Sequence, residues 1–304
     1  MLKDARSFRP RRGCATVVTL IVFCAACVSQ LSPSRPSVQL YIVAHEDDTL
    51  LFQSPSLLHD MQSRDSVVTT VYVTAGDDGQ EQAYWTGREA AVNSAYAYMA
   101  GVPDKWIEGV TNAAGHDIVT YTLSGAPDVR QLFIRLPDGN LDGSGFHRYG
   151  EESLQKLWTT QISTMHPVDG SQPYTSQDLT ATLTALMAAI QPDIVRVQDY
   201  IGTFGDRDHS DHHASAYYAR AAHQKYTRQH EFLGYQDYPT QDLPANVSGA
   251  DLVAKRYAFY AYAQHDSAVC GSTAACAGSE YESWLRREYL VQSEANRPGN
   301  PGGS

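Results

Sequence analysis

Short apolar runs alternate with segments of helical periodicity along most of this chain, and that alternation constrains the fold more than any other feature. Residues 38–44 (VQLYIVA) are a buried-strand candidate, and the β-branched stretch 66–75 (SVVTTVYVTA) is a second. Residues 86–102 carry apolar side chains at helical spacing and stop at Gly101, a helix terminator. Further strands are expected at 116–125, 130–136, 193–200 and 230–238, and helices at 175–192, 210–226 and 250–265. The 175–192 helix opens on Thr175 with Asp178 three residues later, a capping-box pattern. Residues 136–146 (LPDGNLDGSGF) are a loop by composition, and 282–290 (ESWLRREYL) close the fold. Strands alternating with helices predict a parallel sheet covered on both faces. Ligands of such sheets bind beyond the carboxyl ends of the strands, so the residues after each strand are the ones to inspect.

With 304 residues, 42% of them hydrophobic, the chain can build one large α/β domain or two small ones. It has no internal repeat and no obvious break, which predicts a single domain over residues 38–292. Ahead of it, Lys3, Arg6, Arg9, Arg11 and Arg12 precede an apolar run at 15–26, too short to span a bilayer as a helix. A basic start, a short apolar run and small residues describe an export signal over 1–27. The sequence FCAAC ends in Cys27 and resembles a lipoprotein signal, although Cys24 stands where leucine is usual. An exported protein is expected: secreted, periplasmic, or held to the cell envelope by a lipid on Cys27, its one membrane attachment. Residues 28–37 are Ser/Pro-rich and read as a tether, and 293–304 as a flexible tail. Cys270 and Cys276 suit a local disulfide in an exported chain. The formal charge of −11 becomes more negative without the basic start, which argues against nucleic acid as a partner.

Three strand ends carry the densest acid and histidine clusters. His45, Glu46, Asp47 and Asp48 follow the first strand, TAGDDG (74–79) ends the second, and GTFGDRDHSDHHA (202–214) follows the strand at 193–200. If those strands lie side by side, the clusters meet. Mixed imidazole and carboxylate suits a divalent transition metal, and a hydrolytic zinc takes three protein ligands with one open position. His45 and Asp48 can reach one ion from a single turn. His209 and His212 are three apart at a helix start, so one can complete the ligand set while the other faces the reaction. His213 is expected to face away, and His59, His116, His147, His166, His223 and His230 read as ordinary surface or core histidines.

These residues resemble the PIG-L or LmbE-like zinc-dependent N-deacetylases. The family's Ala-His-Pro-Asp-Asp-Glu is matched by AHEDDT (44–49), its Thr-x-Gly-x-x-Gly and Arg-Glu by TAGDDG (74–79) and GREAA (87–91), and its His-x-Asp-His by HSDH (209–212). Order and spacing fit over most of residues 38–265. The resemblance implies a three-layer αβα sandwich with a mostly parallel, Rossmann-like sheet. It implies one zinc per chain, or another divalent metal, on His45, Asp48 and His212. It makes Asp47 the general base and His209 the group that stabilises the oxyanion or protonates the leaving amine. It gives Arg88 a part in anchoring the substrate, with Asp77 or Asp78 lining the site. The substrate it implies is an N-acetylated sugar or glycoconjugate.

Glu46 stands where the family keeps proline, and is expected to add charge at the site's mouth. Thr49 stands where the family keeps a loop-supporting glutamate. The 136–146 loop and the tyrosine-rich KRYAFYAYAQH (255–265) are candidate walls of a sugar pocket, ordinary helix packing being the simpler account of those tyrosines. Two rivals stand beside the deacetylase: a family member that holds metal or glycan without turnover, and another metallohydrolase such as a phosphodiesterase.

Overall fold

A computed structural model of the chain describes residues 35–296. The expected signal, Cys27 and most of the tether lie outside these residues. Eight strands form one sheet: β1 (Ser37–Val43), β2 (Ser66–Thr74), β3 (Trp106–Ala113), β4 (His116–Leu123), β5 (Val129–Leu136), β6 (Ile194–Val197), β7 (His230–Tyr235) and β8 (Leu290–Asn296). Their order is β3-β4-β5-β2-β1-β6-β7-β8. The five strands from β5 to β7 run parallel, and β3, β4 and β8 are antiparallel additions at the two edges. The helices are α1 (Asp48–Phe52), α2 (Ser56–Gln62), α3 (Gln82–Ala100), α4 (Leu154–Trp158), α5 (Ser176–Ile190), α6 (Ser210–Lys225), α7 (Gly249–Tyr262), α8 (Thr273–Cys276) and α9 (Glu280–Leu285).

The expected sandwich of helices on both faces of a mostly parallel sheet is what forms. β1 explains why. Its side chains alternate between faces, and both sets are apolar and buried. Leu40 and Ile42 pack with Leu179 and Leu183 of α5 and Ala216 and Ala219 of α6. Tyr41 and Val43 pack with Ala91 and Val92 of α3 and Phe259 of α7. From β1 the chain steps to β2, crosses to the edge at β3, comes back through β4 to β5, and then places β6 on the other side of β1. That reversal opens a crevice at the carboxyl end of β1, where loops diverge.

Local signals hold where they were strong. Thr175 and Asp178 make a reciprocal capping box at the start of α5. Gly101 ends α3 in the left-handed region at φ 66°, and Cys270 and Cys276 are bonded. α3 begins at Gln82, four residues before the expected 86.

Three expectations need correction. Strand β3 was not anticipated: it is an outer strand with Ile107 and Val110 exposed, so it lacks the buried run that marks an inner strand. The expected flexible tail begins inside β8, which continues to Asn296 and pairs with β7. Its polar sequence suits a sheet edge, and its pairing energy comes from β7 rather than from its own composition. At the other end, β1 begins at Ser37 and Arg35 donates to Asp193 (Nη1 to Oδ2, 2.9 Å), so the last residues of the tether belong to the fold. No helix among the described residues is long and apolar enough to cross a membrane.

Candidate metal centre

The turn after β1 is held from several sides. The Ala44 amide donates to Gln198 Oε1 at 2.8 Å, and the His45 amide to Asp48 Oδ2 at 2.6 Å. Thr49, in the glutamate position, is buried with its hydroxyl 3.2 Å from Tyr96 Oη, which lies 2.8 Å from Thr70 Oγ1. That chain ties the turn to β2. Asp47 and Asp48 sit at the start of α1, so their side chains diverge from adjacent backbone positions.

His212, in the first turn of α6, points its Nε2 at Asp48 Oδ1, 3.1 Å away. His45 Nδ1 lies 3.5 Å from Asp48 Oδ2. Donor atoms from His45, Asp48 and His212 all fall within 4.8 Å of one another, and the three residues are buried. His212 Nε2 makes no hydrogen bond among the described residues. Its one close contact is the Asp48 carboxylate, and a cation between the two would satisfy both. Two imidazoles and a carboxylate at this separation fit a divalent transition metal.

A second row of carboxylates stands behind the histidines. Asp208 Oδ1 is 2.8 Å from His212 Nδ1, which leaves Nε2 free to ligate. Asp211 Oδ2 is 3.5 Å from His45 Nε2, at the limit of a hydrogen bond, and Asp138 Oδ2 is 3.7 Å from it. A carboxylate behind a metal-binding imidazole selects the tautomer and raises its basicity. Burial alone would lower the pKa of both histidines, but Asp48 and the acids behind hold His45 and His212 well above the ordinary value. Asp48 is held well below its own, because the two histidines outweigh its burial. His45 and His212 each also belong to a second group of candidate ligands, His45–Asp138–His209–Asp211 and Asp208–His212–Asp237.

Asp47 belongs to none of these clusters. Its Oδ1 accepts from Arg88 Nη2 at 2.6 Å. Burial raises its pKa, Arg88 works against that, and the Asp48 charge adds to the rise. His209 caps α6: its Nδ1 accepts from the Asp211 amide at 3.2 Å, so the ring proton sits on Nε2, 3.7 Å from Asp138 Oδ1. Burial and the neighbouring His45 push its pKa down to about 3, which leaves a neutral ring with an N–H to donate. Asp47 and His209 retain 9% and 8% exposure against 0% for His212, so the reacting side of the centre opens past them.

The structure brings six of the residues named from the sequence, His45, Asp47, Asp48, Arg88, His209 and His212, to one end of the sheet. Arg88 is turned inward: Nε donates to Tyr262 Oη at 2.8 Å, Nη1 to the Gly76 carbonyl at 2.7 Å, and Nη2 to Asp47. Asp77 is buried and clamps two loops, accepting from the amides of Asp138 (2.7 Å) and Gly79 (2.9 Å). Burial is the main reason its pKa is pushed up to about 7. Asp78 is exposed. Glu46 is not at the mouth: it is fully buried, its Oε2 3.5 Å from Arg88 Nε, and burial pushes its pKa to about 8. It fits there because Gly76 has no side chain; a Cβ at that position would lie 2.5 Å from Glu46 Oε2 and 2.3 Å from Arg88 Nη1. His213 turns away as expected, to Asp199 O and Asp206 Oδ1, both at 2.9 Å.

The acids Asp138, Asp208, Asp211, Asp237 and Asp266 were not singled out from the sequence. Three were legible: Asp211 is the acid of the HSDH motif, Asp208 precedes His212 by four residues just ahead of the helix, and Asp138 lies two residues past β5. Asp237 and Asp266 carried no local signal.

No curated protein sequence matches the chain. Among solved structures it is similar to teicoplanin deacetylase Orf2 in its zinc-inhibited form, at 16% identity over 82% of this chain and 90% of that one, TM-score 0.46. It is similar to GalB, the 4-carboxy-2-hydroxymuconate hydratase from Pseudomonas putida KT2440, at 10% identity over 82% and 83%, TM-score 0.45. A third likeness is to the conserved protein TT1542 from Thermus thermophilus, at 16% identity over 88% and 97%, TM-score 0.42. The family model PIG-L, GlcNAc-PI de-N-acetylase, matches residues 40–223, more than half of the chain and the whole span from His45 to His212. The chain belongs to the PIG-L family.

Proposed function

We propose that this chain is a zinc-dependent hydrolase that removes an acetyl, or another acyl, group from the nitrogen of an amino-sugar-containing substrate. Family membership supports a deacetylase. The observation that carries the finer reading is the pairing of a three-residue ligand cluster with an adjacent carboxylate that stays out of it. His45, Asp48 and His212 would hold the ion, and a zinc bound there would acidify a water and polarise the amide carbonyl.

The remaining work falls to side chains. Asp47 accepts the proton of the attacking water. Arg88 fixes its orientation through Oδ1 and leaves the second oxygen for the proton. His209 presents Nε2–H to the developing oxyanion, and the proton taken up by Asp47 is the one returned to the departing amine. Asp138 faces the same N–H and helps to orient the ring. An exported location belongs to this proposal, from the basic and apolar start of the sequence; the intact mass of the mature N-terminus tests it and the lipid on Cys27.

Replacing Asp47 by Asn tests the reaction. Acetate release from N-acetylated sugars is expected to fall by about 10²–10⁴-fold while zinc stays bound. Loss of zinc in that variant would make Asp47 a ligand and sink its assignment as the base.

A further inference from the structure

Tyr238, Tyr281 and Tyr84 come from three separate segments, and the Asp47 charge reaches all three. The Tyr238 ring lies 4.9 Å from that of His212 and 6.4 Å from that of His209. It stacks on Trp284 at 4.7 Å, and Trp284 meets Tyr281 edge-on at 5.4 Å. Tyr84 is one helical turn before Arg88 on α3, so it shares the face that carries the guanidinium to Asp47. All three tyrosines are partly exposed, and none of their hydroxyls makes a hydrogen bond to a described residue. Burial is the main reason the Tyr84 hydroxyl is pushed up to about 12; the Arg88, Asp266 and Asp47 charges reach it too. Tyr281 is also raised, first by burial and then by Asp47.

Three arginines at this end of the sheet have partners, Arg88 buried and Arg148 and Arg207 exposed. Arg88 spends its donors on Tyr262, Gly76 and Asp47. Arg148 donates to the Gly79 carbonyl, and Arg207 pairs with Asp242. Among the acids here, Asp47 and Asp138 keep some exposure. A phosphate is bound by free guanidinium or ammonium donors, and here it would meet carboxylates. A pyranose face is different: its C–H surface packs on an aromatic ring, and its hydroxyls take up free phenol groups at the edge.

We propose that Tyr84, Tyr238 and Tyr281 form a sugar-binding rim, and that the substrate of this site is an uncharged N-acylated glycan rather than one carrying a phosphate beside the amino sugar. This rests on the deacetylase reading and narrows its substrate class.

The test uses the zinc-loaded protein and a matched pair, N-acetylglucosaminyl-inositol with and without a phosphate on the inositol. Acetate release should favour the uncharged member by about tenfold or more in kcat/KM; equal or better use of the phosphorylated member overturns the proposal. Tyr281→Ala and Tyr84→Ala should each raise KM for the uncharged substrate about tenfold with kcat within about twofold, and the Phe variants should recover most of it. An unchanged KM in Tyr84→Ala, the variant with least packing to lose, also overturns the proposal. Fluorescence titration of Trp284 with N,N′-diacetylchitobiose separates the two readings. Saturable binding that Tyr281→Ala abolishes, without acetate from any substrate, keeps the rim and removes the hydrolase. Neither binding nor release removes both.

Discussion

Helix α6 carries a buried histidine near each end, and the two could hardly be set differently. His212, in the first turn, has its Nδ1 backed by Asp208 and its Nε2 aimed at Asp48 without a hydrogen bond among the described residues. His223, in the last turn, is paired: its Nδ1 lies 2.7 Å from His230 Nε2, and His230 Nδ1 lies 2.7 Å from the Arg228 carbonyl. A carbonyl only accepts, so His230 donates from Nδ1 and accepts from His223. The Nδ1 of each ring is thereby engaged, and His223 Nε2 lies 3.6 Å from Glu294 Oε2. The electrostatics follow. Carboxylates hold His212 well above the ordinary value, whereas burial, His230 and Arg220 push His223 down to about 4. Burial and residue type are shared by the two ends; what separates them is that His212 converges with a second imidazole and several acids, whereas His223 meets His230 and one acid, Glu294.

The comparison breaks most visibly at the first end. Asp48→Ala or His212→Ala should remove the ion and lower kcat/KM by about a thousandfold or more. Metal analysis after dialysis and acetate release check it, and retained metal with full activity would end the assignment.

A finer cut is made behind the ligands. Asp208→Asn and Asp211→Asn keep shape but remove the charge that backs each imidazole, and should weaken metal affinity by about 10–100-fold. Competition with a chelator reads this out. If either variant binds metal as the wild type does, its carboxylate is only structural.

The smallest effect belongs to the other end. His223→Leu leaves His230 Nε2 without its donor and should cost about 1–3 kcal/mol of stability, with activity per folded molecule unchanged. The pH dependence has a definite sign. His223 titrates near 4 folded and near 6.5 unfolded, so its contribution is present above about pH 6.5 and is lost as pH falls toward 4, where the unfolded chain takes up the proton first. Urea denaturation from pH 7 to 4 should show a shallower fall in the variant; an identical slope would mean His223 is not buried neutral.

Much of this was legible in the sequence because it is local. The apolar run at 38–44 needs both faces covered, and that need alone implies a sheet between two layers of helices. Two of the three strand-end clusters name His45, Asp47, Asp48, His209 and His212. The edges were illegible for the same reason in reverse: β3 and β8 owe their strand form to β4 and β7, and each leaves side chains exposed, so neither has the buried pattern of an inner strand. Arg88 could be named but not aimed. Its inward turn depends on Tyr262 and Asp266, more than 170 residues away, and on the absent side chain of Gly76.

Residue types and their spacing therefore determined the sheet, its layers and the chemistry available at its carboxyl end. The tertiary structure alone decided which acid ligates, which backs a histidine and which stays free. Those roles differ by an ångström or two between side chains of the same kind, set by loops that meet only when β1, β5, β6 and β7 lie in register.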